Sequence, residues 1–192
     1  MKALMVVYWR QLARWWVLTG QPARALRCWE NIAALRPLDA RVLATLAGQH
    51  ESSGRLREAI ALMRRSIALD PSQAYAHFNL GFLLQRSEDH HAAVTCFEQA
   101  IELDPRLDQA HYGKALSLIA IGQPDQAIEP LRINTSLQPL SPYGFYQLAH
   151  LLNRLGRADE ARRIIRQLSS FEPQVARRLQ RETGIDAGMS SL

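Results

Sequence analysis

Lysine, cysteine and long apolar runs are all scarce in this chain of 192 residues, and each scarcity removes a class of function. Only Lys2 and Lys114 interrupt an otherwise all-arginine set of cations. The two cysteines, Cys28 and Cys96, are too few for the disulfide scaffold that small secreted domains use in place of a large core. No segment approaches the roughly 20 apolar residues that a membrane-spanning helix needs, so no membrane span is expected. The apolar start, MKALMVVYWR, is broken at Arg10 and lacks a small-residue cleavage site after it. It reads as the opening of a helix and not as a leader, and with unpaired thiols it points to the cytoplasm. No Gly-rich phosphate loop, Ser–His–Asp set or paired-carboxylate signature can be placed. Neither catalysis nor a cofactor is expected.

Against these absences stands one strict regularity. Pro37, Pro71, Pro105, Pro139 and Pro173 fall 34 residues apart. Ala25, Ala59, Ala93, Ala127 and Ala161 keep the same period. Gly20, Gly54, Gly122 and Gly156 keep it too, with Glu88 as the one exception. A fixed period of 20–50 residues marks one supersecondary unit stacked on itself. Each unit reads as helix, Gly turn, helix, Pro. In the third, the spacing predicts helices over about 74–86 and 91–104, with Leu80, Leu84, Val94, Phe97 and Ile101 at one-face spacings. Glycine closes the first helix through a left-handed residue, and proline stops the second. At the recurring alanine two backbones can approach closely.

Fixed offsets within the unit carry a family resemblance. The first unit supplies Trp9, Leu12, Ala13, Trp16, Ala25, Trp29 and Pro37, and the third His77, Leu80, Gly81, Leu84, Ala93, Phe97 and Pro105. The chain resembles the tetratricopeptide repeat family. The resemblance implies an all-α solenoid of five tandem helix-turn-helix repeats, wound as a right-handed superhelix. Repeat bounds are expected at 6–39, 40–73, 74–107, 108–141 and 142–175. A polar capping helix over 174–182 completes a single domain, 1–182, and 183–192 is expected as a flexible tail. Within that frame His77 and His111 are equivalent packing residues standing where the family has Trp, so no metal is expected. Cys28 and Cys96 lie two units apart, too far to be bridged. The fourth repeat departs most, with Lys114 at a Leu site, Asn134 at an Ala site and Pro130 inside its second helix.

The same resemblance implies a concave face lined by the first helix of each unit. Its stripe holds Arg10, Arg14, Arg41 and Glu51, then Tyr75, Phe78 and Phe82, then Tyr112, Leu116 and Ile119. In the last repeat it holds Tyr143, Tyr146, His150 and Asn153. Apolar side chains on a wet surface signal binding. The expected function is a non-enzymatic scaffold or adaptor, gripping an apolar partner segment with some acidic residues. Two alternatives stand beside it. One is nucleic-acid binding through the Arg-rich C-terminal third, disfavoured because no reading motif accompanies the charge. The other is self-assembly, as a homodimer through an N-terminal edge formed by Leu4, Met5 and Trp15.

Overall fold

Residues 1–188 are described by a computed structural model, and every regular element among them is helical. The order is α1 (Lys2–Leu18), α2 (Pro22–Leu35), α3 (Ala40–Ser52), α4 (Leu56–Leu69), α5 (Ala74–Arg86) and α6 (His90–Leu103). It continues with α7 (Asp108–Ala120), a 3-10 turn (Pro124–Ala127), α8 (Ile128–Leu137), α9 (Pro142–Arg154), α10 (Ala158–Ser169) and α11 (Pro173–Thr183). The helices form two compact units, α1–α6 and α7–α11, divided between Leu103 and Asp104, where the period alone draws no boundary. In the first unit α1 packs on α2, α3 on α4 and α5 on α6, while α2 meets α3 and α4 meets α5. In the second, α7 packs on α8, α8 on α9 and α9 on α10, and α11 lies on both α9 and α10.

The recurring residues do what their chemistry suggests. Gly20, Gly54, Gly122 and Gly156 all adopt positive φ between 70° and 77° at the ends of the odd-numbered helices. Pro37, Pro71, Pro105 and Pro139 lie in the turns after α2, α4, α6 and α8. The five alanines of the period are completely buried. Val6, Ile32 and Val42 join α1, α2 and α3 in one cluster, with Trp9 and Trp29 packed against it. Cys28 and Cys96 are buried free thiols. Burial pushes both above the usual thiol range, as inert packing groups.

Two expectations about the fourth repeat change. Pro130 does not interrupt a helix interior. The chain enters as a 3-10 turn and becomes α-helical only at Ile128, so Pro130 is a first-turn residue whose missing N–H has no intrahelical partner to lose. Asn134 is buried but tied: its Nδ2 donates to the Asp108 carbonyl at 3.0 Å. Ser66 makes the matching bond, Oγ to the Ala40 carbonyl at 2.7 Å, and both ties span 26 residues. Room for the larger amide comes from Gly144, where an added Cβ would lie 2.1 Å from Asn134 Oδ1.

The expected tail is also shorter than drawn. Thr183 still belongs to α11, and Gly184 closes that helix at φ 70°. Ile185 and Ala187 are buried. Arg162 Nε donates to the Asp186 carbonyl and Arg166 Nε to the Ala187 carbonyl, at 3.0 and 2.9 Å. Residues 184–188 are thus held against α10 by two arginines. Positions 189–192 of that expectation lie outside the described residues.

Two stability predictions follow from these geometries. Glu88 is the one described non-glycine residue at positive φ (64°), a conformation that costs a side-chain-bearing residue about 1–2 kcal/mol. Glu88→Gly should therefore raise unfolding stability in urea by about 1 kcal/mol. An unchanged or lower midpoint would show that the carboxylate earns its place by other contacts. Gly144→Ala should cost about 1–3 kcal/mol through overpacking. The same change in an Asn134→Ala background should cost much less, because the obstructing amide is gone.

Candidate functional site

In the first unit the proposed groove residues remain open to solvent. Arg10 and Arg14 on α1 and Arg41 on α3 are exposed, as are Tyr75 and Phe82 on α5. Phe78 is half-buried, its ring 6.0 Å from that of Phe97. A pocket of about 360 Å³, open to solvent, lies between α3 and α5. Ala44, Gly48 and Glu51 line it from α3, Asn79, Phe82 and Leu83 from α5, and Met63 from α4. Gly48 leaves its floor clear, since a Cβ there would meet no atom within 4 Å. Arg86 pairs with Glu51 across the two helices, and its guanidinium stands 6.0 Å from the Phe82 ring centre. The pocket therefore has small apolar floor residues, one aromatic wall and a charged rim. Arg41 stands elsewhere, in a cleft with Asp39, Asp70 and Gln73.

The stripe expectation named Phe82 but missed Ala44, Gly48 and Asn79. Small residues four apart on one helix, Ala44 and Gly48, are the signal that could have found the floor.

The second unit is only partly open. Tyr143 is exposed, and Tyr112, Leu116 and Ile119 are half-buried. Burial pushes the Tyr112 phenol up, partly offset by a hydrogen bond with Gln147. The other three stripe residues of α9 are engaged by α11. Tyr146 Oη donates to Glu182 Oε2 at 2.5 Å, and His150 Nε2 donates to the same oxygen at 3.0 Å. Asn153 Nδ2 donates to the Thr183 carbonyl at 3.3 Å. Arg178 Nε completes the set on Glu182 Oε1 at 2.7 Å. Tyr146, His150 and Asn153 thus seat the chain's own last helix, because α11 occupies the place beside α9 that a following first helix would take.

His77 and His111 act as packing residues in a specific way. The Nε2 of each lies 3.0 Å from the carbonyl of the proline six residues earlier, Pro71 and Pro105. Several arginines of the C-terminal third are spent on their own chain. Arg132 and Arg157 both bind Glu160, and Arg162 binds Asp159. Arg166 and Arg178 are also engaged, so about half of the cluster is tied within the chain.

Models of the tetratricopeptide repeat match residues 52–88, 74–107, 96–129 and 142–167. The chain belongs to the tetratricopeptide repeat family. Its fold is that of several solved members. The crystal structure of MamA superposes with a TM-score of 0.79 at 22% identity, covering 86% of this chain and 96% of that one. PilF of Pseudomonas aeruginosa gives 0.77 at 19% identity over 95% and 86%. YrrB, described as a repeat protein with an unusual peptide-binding site, gives 0.75 at 16% identity over 90% of each chain. No curated protein matches the chain in sequence. At these identities the likeness is one of fold.

The α11 contact makes a prediction about acid. Hydrogen bonds from Tyr146, then Arg178 and His150, hold the Glu182 carboxyl down at about 2, against an ordinary 4.5. A depressed carboxylate stabilises the fold fully above its unfolded value and loses that contribution as pH falls towards the folded value. The stability difference between the natural chain and Glu182→Gln should therefore be constant above pH 5 and shrink between about 4.5 and 2. Denaturant midpoints read at several pH values check this. A difference that stays level through pH 3 would mean that the carboxylate is not held by these partners.

Proposed function

We propose that this repeat protein is a non-enzymatic adaptor that binds a partner segment on the open faces of its odd-numbered helices. The pocket between α3 and α5 is the observation that carries this reading. An exposed Phe82 beside an unfilled Gly48 floor is costly to leave in water, and an apolar side chain of a partner removes that cost. Asn79 supplies amide donors and an acceptor at the rim, suited to an extended backbone. Tyr75, one turn or two along the same helix, extends the aromatic surface. In the second unit Tyr112, Leu116, Ile119 and Tyr143 offer a comparable apolar face. The exposed Arg10, Arg14 and Arg41 favour acidic residues in the partner. The family and the solved members of this fold support a protein-binding role in general terms.

A peptide library displayed on phage and selected on the intact protein supplies ligands whose binding can be titrated. Selected sequences should be rich in apolar residues and contain acidic ones. Phe82→Glu combined with Leu116→Glu should weaken them at least tenfold. Gly48→Leu, which fills the pocket floor without adding charge, should do nearly as much for peptides anchored there. Affinities unchanged by both variants would remove the groove reading.

A further inference from the structure

The first helix has an apolar side that its own unit does not use. Val6 and Ala13 point into the unit and are buried. On the opposite side Leu4, Tyr8, Gln11, Trp15 and Leu18 recur at alternating spacings of four and three, one continuous stripe along the helix. Its four apolar members are 76%, 60%, 58% and 83% exposed. Side chains so open stand without neighbouring walls, so the stripe is a ridge and not a groove.

Two observations say what such a ridge fits. The first is charge. Residues 1–38 contain Lys2, Arg10, Arg14, Arg24, Arg27 and Arg36 but a single acid, Glu30, a net charge of +5. Arg36 pairs with Asp39 just beyond, which leaves the charge of α1 itself unanswered. All four tryptophans lie in the same stretch, and α1 has no acid at all. The second is side-chain size. The counterparts of Tyr8 in later first helices are Val42, Ala76, Ala110 and Gly144, all small or β-branched and all buried. Tyr8 is far too large for such a position. The ridge is therefore not shaped to receive another repeat, whether from this chain or from a second copy stacked end to end. A second copy pressed ridge to ridge would also bring Arg14 of each towards the same seam, with no carboxylate on α1 to answer it.

We propose that the outward face of α1 docks on an anionic lipid bilayer surface, with the helix lying in the headgroup plane. Leu4 and Leu18 enter the acyl boundary, while Tyr8 and Trp15 sit at headgroup depth, where their amphipathic rings are most stable. Arg10 and Arg14, on one flank, meet lipid phosphates. A flat fluid surface needs no shape complement to a ridge, and its negative charge answers the unbalanced cations. The helix is not long and apolar enough to cross a membrane, so it lies on the surface. The pocket between α3 and α5 plays no part in this docking. Arg10 and Arg14 are shared with the adaptor reading, so Leu4→Glu with Trp15→Glu and Phe82→Glu with Leu116→Glu are the variants that tell the two failures apart.

The test uses the full chain with vesicles of phosphatidylcholine alone, or with 30% phosphatidylglycerol, at low and high salt. Co-sedimentation should be strong only with the anionic vesicles and should fall steeply with salt. Tryptophan emission should shift to the blue and be quenched by brominated acyl chains. Leu4→Glu with Trp15→Glu, both at exposed positions, should lose at least tenfold in vesicle binding with an unchanged helical spectrum. Arg10→Glu with Arg14→Glu should lose it as well, and Trp15→Phe should retain it. Binding that is equal on neutral vesicles overturns the anionic assignment. Absence of vesicle binding overturns the proposal altogether. In that case sedimentation velocity distinguishes a dimer closed through the ridge, sensitive to Trp15→Glu, from a ridge that neither lipid nor a second copy covers.

Discussion

Each of the five helix hairpins carries an alanine with no accessible surface just after its turn, and the remaining architecture depends on that contact. Ala25, Ala59, Ala93 and Ala161 lie in the first two turns of α2, α4, α6 and α10, and Ala127 ends the 3-10 turn that leads into α8; all five are completely buried. A methyl group there lets the two backbones come close, which in turn brings longer side chains around it into mutual contact. Phe97, Phe145 and Ile165 can be fully buried only because the crossing is tight. Gly81 shows how little slack remains, since a Cβ at that position would lie 2.8 Å from the Phe97 ring. A tight crossing also leaves only a short turn between the helices, and a left-handed glycine makes that turn without a side-chain clash. The alanine and a left-handed turn residue recur together because one geometry requires both, and glycine fills the turn in four of the five units.

Features that repeat were legible in the amino-acid sequence, because each copy confirms its neighbours. The helix bounds over 74–86 and 90–103 match the spacing almost residue for residue. What the spacing could not show are compensations made once. Pro130 is harmless because the four residues before α8 are wound as 3-10 helix, a choice that no periodic pattern encodes. Asn134 is tolerated because Gly144, on the next helix, gives up its side chain. Neither partner sits at a position where the repeat demands it. The tail expected over 183–192 differs for a similar reason as far as residue 188: small polar composition suggests fraying, but Arg162 and Arg166 reach Asp186 and Ala187 from α10.

The interaction stripe shows the same limit from another direction. Exposed aromatic residues at fixed offsets correctly marked Tyr75 and Phe82 as open. The pocket beside them is made by what is missing, the side chain of Gly48, and a list of bulky residues does not reveal an absence. Tyr146, His150 and Asn153 carry the right chemistry and the right offset, yet they serve α11. Their occupant comes from up to 36 residues downstream. A residue's offset in a repeat therefore states which direction it faces, while the next element in the chain decides whether that direction is open.

Among the described residues, helices α1 and α11 each leave one side without a neighbour inside their own unit, and they differ in what that side carries. Helix α11 buries Ala176 and Leu179 and turns Gln174, Arg177, Arg178 and Arg181 outward. That is how a stack is finished for contact with water. Helix α1 buries only Val6 and Ala13 and turns outward Leu4, Tyr8, Trp15 and Leu18. Composition of the chain cannot explain the difference, because arginine was available to both and α1 carries two of its own beside the ridge. Nor can the demands of stacking, since the large rings of α1 stand where every later helix has a smaller residue. Stability alone would have replaced those rings, because exposed aromatic surface contributes nothing to an isolated fold and promotes aggregation. The proposed docking ridge would thus be a second surface with its own requirement for apolar contact and negative charge, distinct from the pocket between α3 and α5.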